Sequence, residues 1–304
     1  MAAQATTGLT QEMSTYYEKV FLARAEYEYI HKEGGQMRSQ PKNEGKTVNF
    51  TRHTPLAVAT AALTEATNPS EVNLTASTVA ATLAEYGTTV KISRFLSLTS
   101  IDANNKEKIE VVGQNMGETL DEIVRNELFT GATAQLAGAK AALTDVAASN
   151  TLSSAEIRKA VRTLKANKAR KFQGRGSFVC KTGPFPAYDL MGDTTWVNAH
   201  TYKDGDALYK GEIGLLFGVR FLESPNQKTE ASTVTVYSNF VHGSDAFGVI
   251  DLEGDKPQLF IIPHTNIDSG NTAGRFSTVA WAASFVTKTL NASWLINIKS
   301  GATA

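Results

Sequence analysis

The stretch that most limits how this chain can fold lies between Gly45 and Thr99. Val48, Phe50 and Arg52 alternate with Thr47, Asn49 and Thr51, the period-two pattern of a strand. At the far end Val90, Ile92, Leu96 and Leu98 alternate with Lys91, Ser93, Ser97 and Thr99, which predicts a second strand. Between them, Pro55 to Ser77 holds only two charges, Glu65 and Glu71, yet is rich in Ala, Leu, Val and Thr. Two strands with so long and weakly charged a connection predict an extended hairpin. At about 3.3 Å per residue it would reach roughly 80 Å from Thr47 to Leu98, beyond what one compact domain covers. A two-stranded hairpin is marginal alone in water, and an apolar loop of this length is expected to lie against something. That surface is either its own domain or a neighbouring molecule.

The remaining pattern is mixed helix and strand. Met13, Tyr16, Tyr17, Val20, Tyr27 and Ile30 fall largely at helical spacing, and Gly34-Gly35 ends that helix. A helix over about Lys106 to Thr130 has Met116, Leu120, Ile123, Val124 and Leu128 on one face. Gly131 to Asn150 reads as a loop or weak helical extension. Ser153 to Phe172 predicts a helix opened by a capping box, with Ser153 as cap and Glu156 reaching back. Pro184 and Pro186 introduce a short helix over Ala187 to Met191, and Gly211 to Leu222 reads as a turn into a buried strand. Strands are expected at Thr233–Tyr237, Ala246–Ile250, Gln258–Ile262, Thr278–Val286 and Ser293–Ile298, with Val279, Trp281, Ala283 and Phe285 sharing a face.

Chemistry is hard to place on this sequence. No two of His31, His53, His200, His242 and His264 have helical ligand spacing, and Cys180 is the only cysteine, so neither a zinc motif nor a disulfide is expected. Cys180, in Phe178-Val179-Cys180, reads as a small buried side chain. Gly174-Arg175-Gly176 follows a helix and precedes a strand, the reverse of a phosphate loop's context. Asp204-Gly205-Asp206 and Asp251 to Asp255 read as turns. The first nine residues carry no basic or apolar region, and no stretch approaches the roughly 20 apolar residues of a membrane helix, so neither secretion nor membrane insertion is expected. We therefore expect neither an enzyme nor a cofactor.

Lys+Arg and Asp+Glu both number 30, which argues against electrostatic capture by the chain as a whole and leaves room for local patches. Two exist. Residues 107–127 are acidic, with Glu118, Asp121 and Glu122 among them, and residues 156–181 carry nine positive side chains against Glu156. The basic run reads as a solvated helix face, as a contact with nucleic acid, or as a contact with the acidic segment of a neighbouring subunit. The residues alone leave these three readings open.

The order of elements resembles the major capsid proteins of tailed bacteriophages with the Hong Kong 97-type fold, and most closely the group named after phage N-four. The resemblance rests on Tyr16-Tyr17-Glu18-Lys19, on Pro41 through Phe50, on Leu63-Thr64-Glu65 and Glu85-Tyr86-Gly87, and on Trp281, and spans about residues 14 to 298. It implies an α+β capsid fold with an N-terminal arm and helix (1–45), an extended E-loop hairpin (46–98), a P-domain with a spine helix leading into the A-domain (99–222), the A-domain (223–275), and strands returning to the P-domain with a C-terminal tail (276–304).

The resemblance further implies hexamers and pentamers building an icosahedral shell around double-stranded DNA, after folding in a bacterial cytoplasm. An encapsulin-like cellular compartment is the alternative. Expected partners are the chain itself, a separate scaffolding protein, a portal, a possible decoration protein and packaged DNA held without sequence preference. Residues 55–77 contain no lysine, so the E-loop cross-linking of some relatives is not carried over. The expected inter-subunit contacts are Leu56, Val58, Leu63, Glu65, Val72 and Leu74 in the loop, Tyr16 and Tyr17 in the first helix, Glu118, Asp121 and Glu122 on the acidic helix, and Arg158, Arg162 and Lys165 on the basic one.

Overall fold

A computed structural model describes residues 18–24, 30–54, 56–60, 62–63, 65, 67–69, 71–99, 105–173, 176–201, 212–255, 257–267 and 270–303. The longest strand, Phe276–Thr289, forms for the reason its sequence suggests: Val279, Trp281, Ala283 and Phe285 alternate with half-exposed residues and fill one buried face. With strands numbered β1–β14 in chain order, this is β13. β4 (Ala84–Ser93) runs antiparallel along one of its edges, Ser93 opposite Phe276 and Ala84 opposite Phe285. β11 (Phe247–Leu252) and then β12 (Gln258–Ile262) follow the other edge, since Phe285 also pairs with Asp251 and Ala282 with Gln258. β1 (Gln36–Gln40) adds to β11 in parallel.

The long helix Asn105–Gly131 covers this five-stranded sheet. Ile109, Val112, Met116, Leu120, Val124 and Leu128 form its buried stripe against Trp281, Ala283 and Phe285. The Trp281 indole N–H donates to Asn115 Oδ1 at 3.0 Å, satisfying its polar end. The helical residues 18–24 pack onto the same helix through Phe21, not through Val20, which is only half-buried. Gly113 permits that approach: a Cβ there would lie 2.7 Å from the Phe21 carbonyl oxygen.

A second sheet runs β5 (Thr133–Leu136), β14 (Leu295–Ser300), β10 (Thr235–His242), β6 (Phe178–Thr182), β8 (Val219–Glu223), β7 (Glu212–Leu216), with β9 (Thr229–Ala231) also on β10. The basic helix, Ser154–Ala166, packs on it through Ile157, Ala160, Val161 and Leu164, with Phe178, Phe221, Trp196 and Ile298 in the same core. Short helices Pro184–Met191 and Thr194–Thr201 flank it. A third, two-stranded sheet pairs β2 (Thr47–His53) with β3 (Ala76–Thr82); Val48, Phe50 and Ala81 anchor it on Ile250.

Several sequence expectations change. The hairpin is β2–β3, closing at His53 opposite Ala76, so it ends at Thr82 and is shorter than the expected 46–98 element. β4 belongs to the large sheet, and Leu96 and Leu98 lie in a short helix, Arg94–Thr99, not in a strand. The basic helix ends at Ala166; Lys168 takes a left-handed conformation (φ 53°) and the chain to Phe172 is non-helical. Ser153 makes no side-chain cap bond. Glu156 instead accepts from Gly138 N and Gln135 Nε2 and pairs with Lys159, while Asp193 Oδ2 accepts the Ser154 N–H at 2.9 Å. Residues 131–150 contain β5 and two single turns of 3-10 helix. The expected boundary at 222/223 falls inside one sheet, because β8 and β10 both flank β6, whereas β11 and β12 belong to the other sheet.

Candidate self-assembly surface

The Thr54 N–H donates to the Thr75 carbonyl at 2.9 Å and closes the base of the loop 54–75. Beyond it Leu56, Val58, Leu63, Val72 and Leu74 are all exposed, Val58 by 81%, and Glu65 is exposed beside them. Five large aliphatic side chains left in water on one loop form the kind of patch that marks an interaction site. Among the described residues, none of the loop's own subunit covers them.

Other apolar groups accompany this patch. The helix Arg94–Thr99 buries none of its residues and exposes Phe95, Leu96 and Leu98; Phe95 and Leu98 border a groove of about 620 Å³ with Phe276. Phe260, Ile261 and Ile262 are part-exposed along β12, and Phe185 and Tyr188 protrude from the helix Pro184–Met191. No sequence pattern singled these out, because a short apolar run does not announce which of its faces is left uncovered. Tyr16 and Tyr17 lie outside the described residues.

The acidic helix is mostly engaged within its own subunit. Asp121 is fully buried and is withdrawn from the candidate contacts. Its Oδ1 accepts the His31 backbone N–H at 2.6 Å, and its Oδ2 lies 2.7 Å from His31 Nδ1 and accepts from Asn226 Nδ2 at 3.2 Å. Glu122 pairs with the buried Arg125, and Glu127 with Lys288 at 3.3 Å. Glu118 is exposed and accepts from Gln114. On the basic helix Arg158, Arg162 and Lys165 are all exposed, whereas Lys181, counted in the same run, is buried in β6.

Sequence reading missed the buried cluster that joins these elements. Lys181 Nζ donates to the His31 carbonyl at 2.5 Å and sits 4.6 Å from the centre of the Phe247 ring. Burial pushes the Lys181 ammonium down to about 7, partly opposed by Asp121 and Glu33. Burial also lowers the pKa of His31, against the pull of Asp121, and holds that of His242 well below the usual imidazole range, with Lys181 adding to the effect. The cluster draws on the turn at residues 31–34, the long helix, β6 and β10. Being sealed from solvent, it holds elements together and offers no access to a substrate. The Cys180 thiol, also buried, is shifted upward by desolvation and is a poor nucleophile. Among the described residues, no three of His, Cys, Asp and Glu are placed to hold a metal ion, and no helix is long and apolar enough to cross a membrane.

No family model and no curated protein matches the chain. Solved structures do. The capsid of Ralstonia phage GP4 superposes with a TM-score of 0.68 at 16% identity, covering 90% of this chain and 91% of that one. The capsid of cyanophage Pam1 gives 0.66 at 19%, covering 88% and 90%. The head of Helicobacter pylori bacteriophage KHP40 gives 0.66 at 14%, covering 88% of each chain. With two sheets, a long helix across one of them and a separate two-stranded hairpin, the chain has the α+β fold of tailed-phage capsid proteins, the Hong Kong 97 type.

Proposed function

We propose that the chain is a major capsid protein that assembles as hexamers and pentamers into an icosahedral shell around the double-stranded DNA of a tailed phage. The observation that carries this reading is the near end-to-end match to capsid subunits, about nine-tenths of both chains, in a molecule that leaves an apolar loop uncovered. In that role residues 54–75 lie across a neighbouring subunit, where Leu56, Val58, Leu63, Val72 and Leu74 leave water. Burying one such side chain contributes about 1.5–3 kcal/mol, so repetition around a ring makes the contact cooperative. Tyr16 and Tyr17, and Glu118 with Glu122, are further contacts in this reading.

The function is structural and needs no catalytic residue. Its place is the virion, after folding in the host cytoplasm, with a separate scaffolding protein, a portal and a decoration protein as partners. The capsids matched are phage heads, which favours this over an encapsulin-like compartment. Electron microscopy and sedimentation of the purified full-length chain, alone and with a scaffolding protein, test the reading. Closed shells are expected; a stable monomer under both conditions overturns it.

A further inference from the structure

The basic helix does not end its positive face where the helix ends. Arg158, Arg162 and Lys165 are spaced four and three residues apart and share one exposed stripe. The stripe leads to Lys168 and Arg170, which line a cleft of about 610 Å³ between the end of the helix, the loop-side half of the β2–β3 hairpin and residues 290–294. Arg38 from β1 and Arg52 and His53 from β2 line the same cleft. Among the described residues Asp245 is its one carboxylate, 4.0 Å from Arg170.

A solvated helix face accounts for the stripe, since cations are favourable near a helix C-terminus. It does not account for Arg38 and Arg52, which arrive from strands more than a hundred residues away in sequence. Nor does it account for their posture. The Arg38 guanidinium lies 4.8 Å from the centre of the Phe50 ring and that of Arg52 lies 5.8 Å from the Trp294 ring. Stacking of this kind holds a guanidinium plane while leaving its N–H edges available to an oxyanion. Asn291, also lining the cleft, buries its Nδ2 with no hydrogen-bond acceptor among the described residues, while its Oδ1 accepts from Ser293.

So many cations brought together suit an anionic partner, and within the acidic helix Asp121 is buried while Glu122 and Glu127 pair with Arg125 and Lys288, although Glu118 stays exposed. We propose that the stripe and the cleft form one continuous track for the phosphodiester backbone of a nucleic acid, read through charge and not through base edges. This deepens the capsid reading, on which it rests only for the identity of the nucleic acid, and competes with the expectation that the basic helix pairs with a neighbour's acidic helix.

The test is fluorescence anisotropy of a short labelled duplex with the full-length chain, titrated with salt. If about four to six phosphates are neutralised, the logarithm of affinity falls against that of salt with a slope of about −4 to −5. The triple variant Arg158→Gln, Arg162→Gln, Lys165→Gln and the double variant Arg52→Gln, Arg170→Gln are each expected to make the slope shallower by about 2–3 and to weaken binding roughly 10–100-fold near 50 mM salt, whatever the duplex sequence. Lys91→Gln with Arg94→Gln, charges on and beside β4, is the matched control, and circular dichroism confirms that each variant is folded.

Absence of duplex binding at about 50 mM salt, or a slope that both variant sets leave unchanged, overturns the proposal. A polyglutamate peptide that binds more tightly than the duplex, with the same dependence on the variants, also overturns it and assigns the track to an acidic protein segment. Sedimentation in parallel separates the two readings: shells without duplex binding remove the track and leave the capsid, whereas duplex binding by a permanent monomer removes the capsid and leaves the track.

Discussion

The loop at residues 54–75 and the cluster around Asp121 depart from the ordinary rule of burial in opposite directions. One leaves Leu, Val and Leu in water; the other seals Asp121, Lys181, His31 and His242 away from it. Each departure has a cost that something must offset. In the cluster the offset is visible within one subunit, as hydrogen bonds of 2.5–3.2 Å that fasten the turn at 31–34 to the long helix and to β6 and tie Asn226 to Asp121. In the loop the described residues supply no such offset, and under the proposed function a neighbouring subunit does. Misplaced polarity inside therefore marks what holds the subunit, and misplaced apolarity outside marks the contact proposed with a neighbouring subunit.

The sharpest break of this comparison is deletion of residues 58–75. Sedimentation is expected to show complete loss of shells while circular dichroism and the denaturation midpoint stay those of the intact subunit. A subunit that unfolds on deletion would mean that the loop serves its own fold.

Asp121→Ala attacks the other side. Leaving His31 and Lys181 without their buried carboxylate is expected to cost the subunit about 3–5 kcal/mol in chemical denaturation. Asp121→Asn should cost less, because the amide oxygen still accepts the His31 N–H.

A smaller effect is set by pH. An unfolded lysine keeps its proton up to about 10.5, whereas the buried Lys181 loses it near 7. Between those values the unfolded state binds more protons, so stability should rise with pH, by at most about 1.4 kcal/mol per unit for one group. Below the ordinary imidazole value of 6.5 the unfolded His31 and His242 take protons that the native state resists, so stability should fall as pH drops further. Denaturation midpoints measured across this range check both windows, and Lys181→Met should flatten the upper one.

The smallest change on the subunit itself is expected from Val58→Ser. At a site this exposed, stability should move by no more than about 0.5 kcal/mol, while the protein concentration needed for shells in light scattering should rise.

What was legible in the sequence was whatever a local period encodes. The stripe of Met116, Leu120, Val124 and Leu128 and the alternation of Val279, Trp281, Ala283 and Phe285 both appear as read. Pairing partners were not legible, because alternation in β4 is the same whether it joins β2 or a strand nearly 200 residues later. Leu96 and Leu98 fit a strand pattern as well as one helical turn, and only the packing decides. Asp121 and Lys181 sat inside runs of like charge and read as surface residues, since their burial depends on partners at positions 31 and 226. The loop was the exception. Its scarcity of charge is a composition signal, and that signal carried through to exposure.

Only Leu83 separates β3 from β4. A pull on the loop would therefore load the backbone of a ten-residue strand hydrogen-bonded along β13, itself bordered on its far side by β11 and β12. Ladder bonds lie across the strands, so tension along β4 meets them in shear, many at once, and not one after another as in peeling. If a neighbouring subunit holds the loop as proposed, a pull on it therefore meets this sheet in the direction in which it is mechanically stiffest.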